Sequence, residues 1–389
     1  MALTKLTKNL IDGTFGTEWD STIQTSNFTA VAGKGYFVNT TSAAITVTLP
    51  AGVVGNEIII QDYAGTFGTN KVLVSANGSE KIQGSTDNVQ NMTNNATITL
   101  VYQDATKGWT ADNISTEISS VSVDYLIIAG GGAGPAPYGG GGGAGGMKSG
   151  TANIPLAQNY TLTVGAGGAS ATSPYDGSDS VALSLTSTGG GGGGIYDTGT
   201  PSLGTGHAGG SGGGGASGPN SPNPGGSGQS GEGNDGGTAN NSGGYQSAGG
   251  GGAGAAGTDI NGQGGAGGAG GVGLASTITG SSVFYAGGGG GSGYQGIGGA
   301  GGNGGGGTGA AFNGGSYSNA VAGTANTGGG GGAGMNANSG GNGGSGIVIL
   351  RYSNTFTISG LSGSTDSTSI AGTKITTFTN VGTGNIQFN

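Results

Sequence analysis

With 389 residues and no cysteine, the chain has no disulfides or thiolate metal site to hold it together. Only 7% of its residues are charged and the formal net charge is −9, where an ordinary globular protein is about 25% charged. No Lys or Arg occurs between Lys148 and Arg351, which excludes nucleic-acid binding, since that requires clustered bases to displace counterions.

The opening segment, 1–20, carries a short apolar pattern (Leu3, Leu6, Leu10, Ile11, Phe15) followed by Trp19. It lacks the apolar core of a secretory signal, and alone it is too short for a stable helix. It is expected to be an arm that docks elsewhere. No apolar run in the chain reaches the about 18 residues of a membrane-spanning helix.

From 21 to 120 the signals are β. Tyr36-Phe37-Val38, 44–49, Glu57-Ile58-Ile59-Ile60, Lys71-Val72-Leu73-Val74 and 97–102 are β-branched or alternating, and Lys107-Gly108-Trp109-Thr110 reads as a last short strand. Turn clusters such as Pro50-Ala51-Gly52 and Asn77-Gly78 separate them. This predicts a β-sandwich-like module.

A glycine-rich domain, 121–352, is bracketed by two strands, Val123-Asp124-Tyr125-Leu126-Ile127-Ile128-Ala129 and Gly346-Ile347-Val348-Ile349-Leu350-Arg351-Tyr352. Further strands are expected at 160–164, 181–185 and 278–286. Glycine runs at 139–143, 189–194, 287–291 and 328–332 are uninterrupted, which rules out collagen, whose glycine recurs at every third position with abundant proline. Marked strands at both ends argue against a free linker. The remaining structure is a bundle of threefold polyglycine II helices, extended like polyproline II, with N–H and C=O groups directed at neighbouring helices. Pure runs, with Gly191, Gly192, Gly289 and Gly330 as core positions, suit the interior. Stretches admitting alanine, such as 264–271, suit a rim.

Bulky residues fall between the runs, where the chain must reverse. Tyr138, Tyr175, Tyr196, Tyr245, Tyr294, Phe312 and Tyr317 sit there beside Ser, Asn and Gly. Rigid amphipathic rings of this kind give contact area at low entropy cost, so these seven are the candidate binding residues. The competing reading is that the rings pack on one another to hold the loops. After Tyr352, a tail at 353–389 alternates Phe356, Ile358, Leu361, Ile375, Phe378, Ile386 and Phe388 and predicts a short β segment. The fold class is mainly β.

No catalytic, cofactor or metal constellation emerges. The Gly130-Gly131-Gly132 stretch follows a strand, but a dinucleotide fingerprint needs a helix next and an acidic residue about 20 positions on; more glycine follows instead. Gly231-Glu232-Gly233-Asn234-Asp235-Gly236-Gly237 resembles a single calcium-roll repeat without the tandem copies such rolls need. His207 is the only histidine, and Asp176 with Asp179 forms a carboxylate pair on a Ser/Gly loop. The protein is expected not to be an enzyme.

Phe37 to Pro50, Asp62-Tyr63-Ala64-Gly65-Thr66-Phe67, Leu100-Val101-Tyr102 and Gly108-Trp109 together resemble a β module of tail-fibre proteins in marine phages. The glycine part, from Val123 to Tyr352, resembles the glycine-rich adhesins at fibre tips of some T-even-like phages. The resemblance covers about 20–352. It implies a receptor-binding protein of a virion, synthesised in the host cytoplasm, trimeric, joined to tail or baseplate proteins through its N-terminus, with loops presented to a host glycan or outer-membrane protein. A structural decoration or filament protein, or a polysaccharide depolymerase, are the alternatives.

Overall fold

The computed structural model describes residues 17–389 except 113, 117–119, 157, 197–200, 220, 241–243, 337–338, 361–363 and 368–369. The arm expected at 1–20 thus lies almost wholly outside the described residues. The chain divides into two compact units, Met1–Ser119 and Ser120–Asn389.

The first unit is two five-stranded sheets. Its strands are β1 (Glu18–Trp19), β2 (Phe28–Thr29), β3 (Lys34–Val38), β4 (Ile45–Thr48), β5 (Glu57–Asp62), β6 (Val72–Ser75), β7 (Val89–Asn91), β8 (Thr97–Asp104), β9 (Gly108–Ala111) and β10 (Ser115–Thr116). The first six alternate between sheets, so β1, β3 and β5 pair in parallel in one sheet, and β2, β4 and β6 in the other. Antiparallel β8 and β9 complete the first sheet, and β7 and β10 the second. Alternating burial along β4, β5, β6 and β8 puts Ile45, Val47, Ile58, Ile60, Val72, Val74, Ile98 and Leu100 in one core.

Two motifs noted in the sequence have structural reasons. The Asp62 carboxylate is buried and accepts backbone N–H bonds from Gly65, Thr66, Phe67 and Asn95 at 2.9–3.2 Å. It thereby closes the loop that seats Phe67 in the core. Gly108 has φ +71°, and a Cβ there would lie 1.8 Å from the Lys81 carbonyl oxygen. Only glycine allows the approach that tucks Trp109 into the core, edge-on to Tyr102.

The second unit begins with β11 (Ser120–Ile128), β12 (Met147–Pro155), β13 (Asn159–Val164), β14 (Ser180–Ala182) and β15 (Leu185–Ser187). Small pairings follow: β16 (Ala239–Asn240) with β17 (Ile260–Asn261), β18 (Leu274–Ser276) with β19 (Val283–Tyr285), and β20 (Gly293–Tyr294) with β21 (Ala311–Asn313) and β22 (Ser316–Ser318). It closes with β23 (Ile347–Ser353), β24 (Ile358–Gly360), β25 (Ser364–Ser367), β26 (Thr373–Phe378) and β27 (Gly382–Phe388).

Two of these sheets, ordered β12-β11-β23-β26-β25 and β15-β14-β13-β27-β24, enclose a core. Val123, Ile127, Val348, Leu350 and Phe378 from the first meet Tyr160, Leu162, Val164, Ile386 and Phe388 from the second. The opposite face of the first sheet is also buried: Leu126, Ile128, Ile347 and Ile349 pack on Ala144, Met147, Ala253 and Ala286. Burial on both faces explains why β11 and β23 read as continuous apolar runs. The segment 353–389, expected as a separate tail, supplies interior strands of both sheets, since β26 lies between β23 and β25 and β27 between β13 and β24.

Two expected strands take another form. The run 181–185 folds back on itself, with Leu183 and Ser184 both at positive φ between β14 and β15, as the tight hairpin turn requires. Of 278–286 only Val283–Tyr285 is strand, paired with β18.

The glycine runs form a bundle with a three-residue repeat. In the stretch 139–146, the N–H groups of Gly140, Gly143 and Gly146 reach the carbonyls of Gly194, Gly191 and Thr188; those of Gly141 and Ala144 reach Ala248 and Gly251; those of Gly142 and Gly145 reach Gly331 and Gly328. All are 2.8–3.0 Å long. Every third donor therefore points to the same neighbour, the signature of a threefold helix. The carbonyls of Gly141, Gly142 and Gly143 accept from Gly214, Gly289 and Gly132 on three further runs. This central helix has six neighbours, the hexagonal packing of polyglycine II.

The bundle also corrects the expectation that interior helices are pure glycine. Ala144 sits on the central helix with no exposure, because at that level its methyl meets the apolar face of the first sheet. The stretch 264–271 behaves as a rim, with Ala266 exposed.

Candidate functional site

The glycine helices determine where the aromatic residues go. The helix at 139–146 begins directly after Tyr138 and enters β12 at Met147. At roughly 3.1 Å per residue, Tyr138 and Met147 are roughly 28 Å apart, at opposite ends of the bundle. Hydrogen-bond order makes 188–194 antiparallel and 247–253 parallel to this helix. Tyr196, which follows the former, and Tyr245, which precedes the latter, therefore emerge at the Tyr138 end. Tyr294 follows the run at 287–291 and comes out there as well.

The rings form one continuous stripe. Tyr138 contacts Tyr196 at 5.3 Å between centroids and Tyr245 at 4.8 Å; Tyr245 contacts Tyr294 at 5.0 Å, Tyr294 contacts Phe312 at 5.7 Å, and Phe312 contacts Tyr317 at 4.6 Å. Such spacings and tilts are favourable for aromatic pairs. The last three rings are directly opposite one another across β20, β21 and β22. Five of the rings are half-buried against their neighbours, while Tyr317 at the open end is 49% exposed and accepts a hydrogen bond from the Asn336 amide. Burial first, then the neighbouring tyrosines, push the Tyr138 phenol above the ordinary tyrosine value, so the ring stays neutral.

Six of the seven candidate binding residues are thus brought together, and Tyr175 is not among them. Its carbonyl accepts from Ala133 and its Cβ lies against Gly192, so it belongs to the side of the bundle. The four core glycines are buried, but Gly192 lies on a helix at the edge of the bundle, where its N–H goes to the Asp176 carboxylate instead of a backbone carbonyl. A Cβ at Gly191 would lie 2.0 Å from the His207 carbonyl oxygen, at Gly289 2.0 Å from that of Gly331, at Gly330 2.0 Å from that of Gly142, and at Gly192 2.6 Å from the Tyr175 Cβ.

The acids of this unit have a role that composition alone did not reveal. A helix at the rim of the bundle lacks neighbours on one side, which leaves every third N–H without a carbonyl. Asp176 and Asp179, three residues apart, accept from Gly192 and Gly189, also three residues apart, both at 2.7 Å. Asp235 accepts from Gly228, Asp259 from Thr238, and Glu232 from Thr188. The carboxylates finish the rim, so the Asp176/Asp179 pair and the Gly231–Gly237 motif both have structural explanations. Asp197 lies outside the described residues.

His207 joins this edge through Nδ1, 2.9 Å from Asp176 Oδ1. The hydrogen bond to Asp176 raises its pKa above the ordinary histidine value, against the opposing effect of burial. A raised folded-state pKa contributes stability that is full below the unfolded value and lost as pH rises through the folded one. Stability of the second unit is expected to fall on passing from mildly acidic to mildly alkaline pH. His207→Asn should flatten that slope in denaturant titrations; an unchanged slope would show that the pair contributes nothing.

Residues 105–353, more than half of the chain, match the family described as Glycine-rich domain, and the protein belongs to that family. No curated protein matches the chain. Among the described residues, no helix is long and apolar enough to cross a membrane.

Proposed function

We propose that this protein is a receptor-binding protein of a bacteriophage tail fibre, a virion adhesin that meets a host surface through the aromatic stripe. The observation that carries the reading is the confinement of six rings to one end of the bundle, opposite the end at which the helix 139–146 enters β12. Stiff helices pin Tyr138, Tyr196, Tyr245 and Tyr294, and the β21–β22 hairpin pins Phe312 and Tyr317, so little ordering cost remains on binding. In this reading residues 1–120 associate as a homotrimer, and the N-terminal arm within them joins tail or baseplate proteins. The role is binding rather than catalysis.

A second reading, a structural virion decoration, is favoured by one observation: the rings stack on one another and hide part of their faces. One experiment separates the two. Tyr138, Tyr196, Tyr245, Tyr294 and Tyr317 are replaced with Ala singly and together, and adsorption of the purified protein to a panel of marine bacterial isolates is measured. Recognition predicts hot-spot behaviour, with one or two rings dominating and the combined variant losing adsorption while still folded. Undiminished adsorption by a folded combined variant would leave the stripe a purely structural feature.

A further inference from the structure

Two grooves flank the stripe. One, of about 240 Å³, is bounded by Tyr245, Tyr294, Gln263 and Gln295. The other, of about 580 Å³, lies beside Tyr317 and is bounded by Ile297, Thr308, Asn313, Ser316 and Ser318. Their walls are aromatic rings, amides, hydroxyls and glycine backbone, with Ile297, Ala300 and Ala311 adding aliphatic surface to the larger, and no Lys, Arg, Asp, Glu or His lines either.

We propose that the ligand of these grooves is an uncharged, hydroxyl-rich glycan of the host surface. The inference rests on the recognition reading and names its ligand class. A sugar ring presents C–H groups on its faces and hydroxyls around its edge. Aromatic faces match the first, and amide and hydroxyl side chains match the second, giving an apolar lining with a few convergent polar groups. The charge distribution selects against acidic sugars. With eight acids against three bases in 120–389 and no Lys or Arg between Lys148 and Arg351, the second unit repels an anion. Lys148 is paired with Glu232, Arg351 with Asp124 and Lys374 with Asp366, and His207 is held by Asp176. A uronate, sialate or phosphorylated sugar would lose its hydration in these grooves without gaining a countercharge.

The test uses the full chain and isolates that adsorb it. Cells are treated with periodate, which cleaves sugar diols, or with protease. Polysaccharide extracted from the same isolate is split on an anion exchanger into neutral and acidic fractions for use as competitors. Periodate is expected to abolish adsorption and protease to spare it. The neutral fraction should compete and the acidic fraction should not, and raised salt should leave binding unchanged, because no ion pair is formed. Tyr317→Ala, at an exposed ring, should weaken adsorption about tenfold, the size of effect one interface ring commonly has, without altering unfolding. Loss on protease treatment alone would overturn the glycan and leave recognition standing, with a protein as receptor. Competition by the acidic fraction, or weakening by salt, would overturn the neutral class. Adsorption to no isolate would remove the recognition reading itself.

Discussion

Gly289→Val and Gly191→Val should each destabilise the second unit by about 3 kcal/mol, the upper end of what overpacking costs. Each new Cβ would stand 2.0 Å from a backbone carbonyl oxygen, that of Gly331 or His207. No rotamer relieves such a clash, because the obstacle is backbone held by its own hydrogen bonds. The neighbouring helix must move, and with it the bonds it makes to others. Gly231→Ala is the control. Its φ is +79° and a Cβ there meets open space, so only the left-handed backbone term of about 1 kcal/mol applies. Thermal unfolding and limited proteolysis read the difference. Three equal variants would mean that the runs are not packed side by side.

Ending the chain at Tyr352 should leave the second unit unfolded while the first unit stays folded. Such a truncation removes β26, which pairs with β23, and β27, which pairs with β13, together with the fully buried Phe378 and Phe388. Each sheet would lose an interior strand and the core its two largest apolar side chains. The milder form, Phe388→Ala, should cost about 3–5 kcal/mol, a large share of the about 5–15 kcal/mol by which domains are stable. Val381→Ala, at a position 53% exposed, should stay within about 0.5 kcal/mol of the parent. A truncated chain whose second unit resists protease would show that these strands are dispensable.

The mainly β class was legible wherever residues alternate or branch at Cβ, as in β4, β5, β8, β11 and β23. β12 was not, because its sequence, Met147 to Pro155, mixes polar residues with Gly150 and Ala152 and is largely exposed. Its place at the edge of the sheet is fixed by nine-residue pairing to β11, a long-range fact with no local signal. The alternation of β1 to β6 between two sheets was hidden for the same reason, since turn residues mark where strands end and not which strand comes next in space. The glycine bundle was legible because nothing but glycine permits such close backbones. Which helices are central was not, and Ala144 shows why: burial there depends on the sheet lying beside it. The rings could be picked out individually, but their union into one stripe follows from the alternating directions of the helices. The rim-capping acids left one readable trace, the three-residue spacing of Asp176 and Asp179, matching the helix repeat.

Amide hydrogen exchange of the stretch 139–146, followed by mass spectrometry of peptides covering it, tests the glycine scaffold most directly. Every N–H from Gly140 to Gly146 donates to a neighbouring run, and opening any one requires the bundle to come apart. The expected result is protection equal to that of β11 and β23, the interior strands of the sheet it enters through β12, since core elements exchange only through large-scale opening. Exchange at the rate of an unstructured Gly/Ser peptide would contradict the bundle, and with it the placement of the aromatic stripe.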